Sequence, residues 1–141
     1  MTSLAKIVPE LIAVLTGYAA FTLSDEAPAV RFVSQDVIAE RVCGRPCPVF
    51  AMFEPDEGIL LDKRLDPVND IIARSILLHE LVHYAQWHTA GGMASGCAEW
   101  LKRERQAYQV QFSWLARQPK GNRQFPVRQP VLSPVICGAK S

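Results

Sequence analysis

The stretch SILLHELVHYAQW, Ser75 to Trp87, holds three side chains whose types and spacing could do chemistry: His79, Glu80 and His83. An α-helix turns about 100° per residue, so residues four apart lie about 40° apart on one face, one turn from each other. Both imidazoles can then reach one ion. Glu80 lies about 100° round from His79, too far to join them as a third ligand from the same turn. It is well placed to hold a water beside that ion. This is the physical content of an H-E-x-x-H helix: two nitrogen ligands and a general base. The neighbours Ile76, Leu77, Leu78, Leu81 and Val82 are apolar. Polar groups packed among them cost free energy unless they find partners, and a zinc ion would be one for the histidines. The competing expectation is a pair of core histidines satisfied by backbone carbonyls, with Glu80 exposed.

A catalytic zinc site generally has three protein ligands and an open position. His88 lies about 180° round the helix from His79 and cannot face the same ion. Gln86 and Thr89 stand where a metzincin extension would place Gly and His, so that class is rejected. The next helical segment offers Glu99 and Glu104. Cys97, Trp100, Leu101, Ala107, Tyr108, Gln111 and Leu115 fall on one helical stripe with Glu104 in its middle, whereas Glu99 falls with Lys102, Arg103 and Gln106. A carboxylate inside an apolar stripe needs a strong partner, so Glu104 is the expected third ligand. A salt bridge to a rim arginine is the alternative for it.

With HELVHYAQ followed by ERQAYQVQ, the chain resembles the gluzincin zinc metallopeptidases in their small, minigluzincin form. In that group a glutamate on the helix after H-E-x-x-H is the third ligand, often within Glu-x-x-Ala-Asp. Glu104 to Tyr108 match that pattern, with Tyr108 replacing the Asp that commonly supports a zinc-bound histidine. The resemblance covers the two helices firmly and the preceding strand and hairpin loosely. It implies Zn²⁺ held by His79, His83 and Glu104, with a zinc-bound water activated by Glu80 for hydrolysis of peptide bonds. Tyr84 and Tyr108, each one turn after a glutamate of the site, are candidate donors to the oxyanion. A peptide or protein substrate would add as a strand to the edge of a small sheet, and Gly58 to Arg64 (GILLDKR) is the expected edge. Two other readings differ in class: a zinc-stabilised, catalytically silent binding module, and a metal-free, disulfide-stapled interaction domain.

These groups need elements to hold them. The chain has 141 residues, 49% hydrophobic and 21% charged, as expected of one folded domain spanning residues 1–141. Fifteen Lys and Arg against 14 Asp and Glu leave no charge excess to steer toward nucleic acid. No stretch is long and clean enough for stable membrane insertion. Ile7 to Phe21 is broken by Pro9 and Glu10 and reads as an amphipathic helix rather than a signal peptide. The four cysteines suggest Cys43–Cys47 and Cys97–Cys137 disulfides and a secreted or periplasmic setting, with reduced cytoplasmic thiols as the alternative.

Pro9 suits the first turn of a helix to about Phe21. Ala27 to Ser34 alternates as a strand, and a short helix capped by Ser34 follows over Gln35 to Arg41. PVFAMF and GILLDKR flank the turn EPDEG as a hairpin. Asp66 and Pro67 suit the start of the metal helix, and Gly91-Gly92 its end. The second long helix should run from near Ser95 to about Arg117, followed by an irregular proline-containing tail. The expected class is α+β and zincin-like: a small antiparallel sheet packed on the H-E-x-x-H helix and a following glutamate-bearing helix.

Overall fold

A computed structural model describes residues 3–119. The expected Cys97–Cys137 disulfide and the proline-containing tail lie outside the described residues. Within them the order is α1 (Leu4–Leu15), β1 (Val30–Val33), α2 (Gln35–Cys43), β2 (Ala51–Glu54), β3 (Gly58–Asp62), α3 (Ile71–Ala90) and α4 (Cys97–Arg117). The fold is α+β. No helix among the described residues is long and apolar enough to cross a membrane.

The sheet is mixed rather than antiparallel. Its order is β1-β3-β2, with β3 parallel to β1 and antiparallel to β2. Helix α2 and strand β2 intervene between β1 and β3, which lets the two run the same way. Gly58 to Asp62 is therefore the central strand and not the expected edge. All five of its residues are buried. Ile59 and Leu61 join the main core with α1, α3 and α4. Leu60 points to the opposite face, where it meets Ile38 and Val42 of α2. An unbroken apolar run buried on both faces is the mark of an inner strand.

Two helix starts differ from expectation. Helix α1 begins at Leu4, ends at Leu15, and holds Pro9 inside it. Ile7, Val8, Leu11 and Leu15 are buried against the core. Burying four such side chains at about 1.5–3 kcal/mol each outweighs the roughly 3 kcal/mol that an internal proline costs. Helix α3 starts at Ile71, not Pro67, and its N-cap is Asp70, whose carboxylate accepts from the Ile72 N–H at 2.9 Å. Asp66 instead caps a separate turn, accepting from the N–H groups of Val68 and Asn69 at 3.2 Å. The Arg74 guanidinium donates to the carbonyls of Pro67 and Val68 and holds that turn against the helix. Ser34 occupies the N-cap position of α2 without a side-chain capping bond. Gly91, at φ 75°, ends α3 as expected, and α4 begins at Cys97.

Helix α3 packs against α1, α4, β2 and β3. It is apolar nearly all round because it has neighbours on nearly all sides. Cys43 and Cys47 form a disulfide across the short loop leading from α2 toward β2.

Gly58 starts the central strand at φ 92°, and a Cβ there would lie 2.3 Å from the carbonyl oxygen of Ala29. That oxygen accepts the Ile59 N–H at 2.8 Å at the entry to β1. Gly58→Ala should therefore destabilise the fold by about 3 kcal/mol, from combined backbone strain and overpacking. Urea unfolding measures it, and a midpoint equal to the parent's would show that β1 does not pack as described.

Candidate metal centre

His79, Glu80 and His83 lie on the middle turns of α3, and Glu104 on the facing turn of α4. The helices run in opposite directions: Gln111 of α4 meets Ser75, while Arg103 and Gln106 meet Gln86. This brings the Glu104 carboxylate over both imidazoles. His79 Nε2 lies 3.1 Å from Glu104 Oε1 and 3.2 Å from His83 Nε2. His83 Nε2 also contacts Glu104 Oε1. The three ligand atoms sit within 4.8 Å of one another. Neighbouring donors around a tetrahedral ion with bonds of 2.0–2.1 Å stand about 3.3 Å apart, which the two spacings from His79 match, so the group could hold a metal ion. Two imidazole nitrogens and one carboxylate oxygen also leave a fourth position open.

The other ring nitrogens decide which proton sits where. Gln86 Nε2 donates to the Arg103 carbonyl at 2.8 Å. A carbonyl oxygen can only accept, so the amino group of Gln86 faces it and Gln86 Oε1 faces His83 Nδ1, at 2.9 Å. His83 Nδ1 must therefore carry a proton. The same reasoning fixes His79. The Ser75 hydroxyl donates to the Ile72 carbonyl at 2.7 Å and accepts from Gln111 Nε2 at 3.1 Å. Gln111 Oε1 is then left to accept from His79 Nδ1 at 2.9 Å. In neutral imidazoles both Nε2 atoms consequently present lone pairs. Two lone pairs and a carboxylate oxygen converge on one point, an arrangement that repels itself unless a cation occupies it.

Glu80 is 8% exposed and lies beside the cluster. Burial pushes its carboxyl above the ordinary value; His79, His83 and the Phe53 N–H oppose the rise, and Glu104 adds to it. Phe53 belongs to the sheet edge. Asp62 N–H bonds to the Phe50 carbonyl, and residue pairing alternates from there, so the backbone groups of Ala51 and Phe53 point off β2. The cleft over the cluster has a volume of about 530 Å³ and runs along β2 from Val42 and Val49 to Met93 and Trp100.

The two tyrosines separate. Tyr108 lines the cleft, its ring centroid 4.4 Å from that of His79. Burial, with the charges of Glu104 and Glu80, pushes its hydroxyl up to about 12, so it remains a proton donor. Tyr84 is not brought to the site. Its hydroxyl donates to the Glu26 carbonyl at 2.7 Å, and its ring packs on Phe53 and His88. One turn after Glu80 along α3 lies under the sheet and loop rather than under the cleft. Glu99 pairs with Arg103 at 3.1 Å on the other face of α4. Gln86 and Gln111 were not picked out by their types. Their only signal was an amide placed amid apolar helical positions. No protein family, curated protein or solved structure matches the chain.

Without a metal ion a proton takes the cation's place. Burial opposes protonation of His83, but the hydrogen bond to Glu104 and the charges of Glu80 and Glu104 outweigh it, holding His83 above 6.5. Burial would raise Glu104, yet its contacts with His79 and His83 hold it at about 2. A raised histidine stabilises the fold below its unfolded value and loses that contribution as pH rises through its folded value. A divalent ion must displace this proton. Chelation should therefore lower the melting temperature more above the raised His83 value than below 6.5, and metal uptake should release protons. Thermal unfolding with and without chelator, and calorimetry in buffers of different ionisation enthalpy, check both. An equal chelator effect at either pH would count against this linkage.

Proposed function

We propose that the protein is a zinc metallopeptidase of gluzincin type, with a zincin-like arrangement of sheet edge and two helices around the metal. The observation that carries this reading is the convergence of two imidazole Nε2 atoms and a carboxylate oxygen beside a buried glutamate outside that set. A purely structural ion has no use for Glu80. His79, His83 and Glu104 would hold the ion. When bound, zinc acidifies a water and polarises a carbonyl.

The chain's own residues do the rest. Glu80 accepts a proton from the attacking water at its carboxylate and passes it to the departing amine. Its raised proton affinity suits both transfers. Tyr108 keeps its proton and faces the cleft, where it can donate to the oxygen that gains charge. An extended peptide would pair on β2 with the outward backbone groups of Ala51 and the carbonyl of Phe53, whose N–H is engaged by Glu80, in place of the β3 pairing expected from sequence. Phe50 and Met93, 45% and 51% exposed, border the same cleft and offer apolar surface to its side chains.

Glu80→Gln should retain zinc and lower peptide hydrolysis by about 10²–10⁴-fold. Glu104→Ala should lose zinc on dialysis while Glu99→Ala keeps it. Metal analysis of each purified variant, beside a peptide-library cleavage assay with chelator controls, tests the set. Parent-like cleavage by Glu80→Gln would remove it as the base. Zinc retained by Glu104→Ala would remove the third ligand. A loaded parent that cleaves nothing in the library would favour a silent binding module.

A further inference from the structure

The geometry points to Gln86 and Gln111 as paired positioning residues that fix the tautomer and aim of both metal-facing histidines through neutral amides. This inference rests on the metal-site reading above and adds to it. Each amide is oriented by its second partner. The Arg103 carbonyl can only accept, and the Ser75 hydroxyl, while it donates to the Ile72 carbonyl, accepts from Gln111. Each amide oxygen therefore faces an Nδ1 atom, at 2.9 Å in both cases. Both glutamines are buried, at 5% and 7% exposure.

The two positions differ in what they tolerate. A glutamate at 111 would set its second oxygen against Ser75 Oγ. That hydroxyl can turn its proton from the Ile72 carbonyl to the carboxylate. A glutamate at 86 would press its second oxygen against the Arg103 carbonyl, which has no proton to turn, and a flip of the Gln106 amide would offset only part of that repulsion. A charged acceptor on Nδ1 makes the imidazole a more basic ligand. The native amides leave more positive charge on the bound ion than carboxylates would.

The test is zinc affinity by competition with a chromophoric chelator, together with the visible absorption of the cobalt-substituted protein, on the full chain. Gln86→Leu and Gln111→Leu should each weaken zinc by about 10- to 100-fold. Gln86→Glu should be weakened as Gln86→Leu is. Gln111→Glu should hold zinc at least as tightly as the parent, with shifted cobalt bands. Folding differences do not produce that split, because Gln111→Glu is no better packed than Gln111→Leu. Parent-like affinity in both leucine variants overturns the positioning role. So does a loss in Gln111→Glu equal to that in Gln111→Leu. A parent chain that takes up neither zinc nor cobalt overturns the metal site itself, and the inference with it.

Discussion

Two imidazole nitrogens and a carboxylate oxygen aimed at one point, on the floor of a cleft between two helices, are the constraint around which the rest is arranged. Lone pairs that face each other at 3.2 Å repel. In a low-dielectric setting that repulsion is poorly screened. A proton between His83 and Glu104 relieves that repulsion, and on the proposed reading a divalent ion would relieve it more fully, by engaging all three atoms together.

That constraint sets the register of α4 on α3. Glu104 must lie over the turn between the histidines, and Gln111 must reach Ser75 two turns further along. Gln86 must reach the Arg103 carbonyl at the other end. Apolar contacts, including those of Ala107 and Val110 in the core, hold the same register. Strand β2 completes the enclosure. Its Phe53 ring fills the space beside Tyr84 and Trp87, while its N–H reaches Glu80. One edge residue therefore anchors the sheet to α3 and touches the proposed base.

Helical periodicity made part of this legible. Positions 79 and 83 share a face in any α-helix, and the stripe through Trp100, Ala107 and Leu115 separates Glu104 from Glu99 without coordinates. What failed was of another kind. Asp66-Pro67 is a strong local start signal, but the carbonyls behind it are taken by the Arg74 side chain, and the turn stands apart from the helix. Pro9 is a local start signal too, and tertiary burial on both sides of it overrode it. Strand β3 reads as apolar throughout, which is compatible with an inner strand. Its partner β1 lies beyond a helix and another strand, and pairing across such a distance leaves no periodic trace. A buried glutamine announces only that it needs partners. Which ring Gln86 and Gln111 serve depends on the packing of two helices.

The choice of amide over carboxylate behind the histidines follows from charge. On the proposed reading the cleft holds a divalent cation with two glutamates, Glu80 and Glu104, and these charges cancel. Burial already pushes Glu80 toward its neutral form. Carboxylates at positions 86 and 111 would leave a net negative charge in a site with little water, and such a charge is costly to bury. They would also raise Glu80 further, since each added anion disfavours its ionisation. A base held neutral accepts no proton. Two amides orient the rings as firmly, add no charge, and leave Glu80 able to ionise. The tyrosine at position 108 is consistent with the same limit: it places a hydroxyl, held protonated, where a carboxyl would have added an anion.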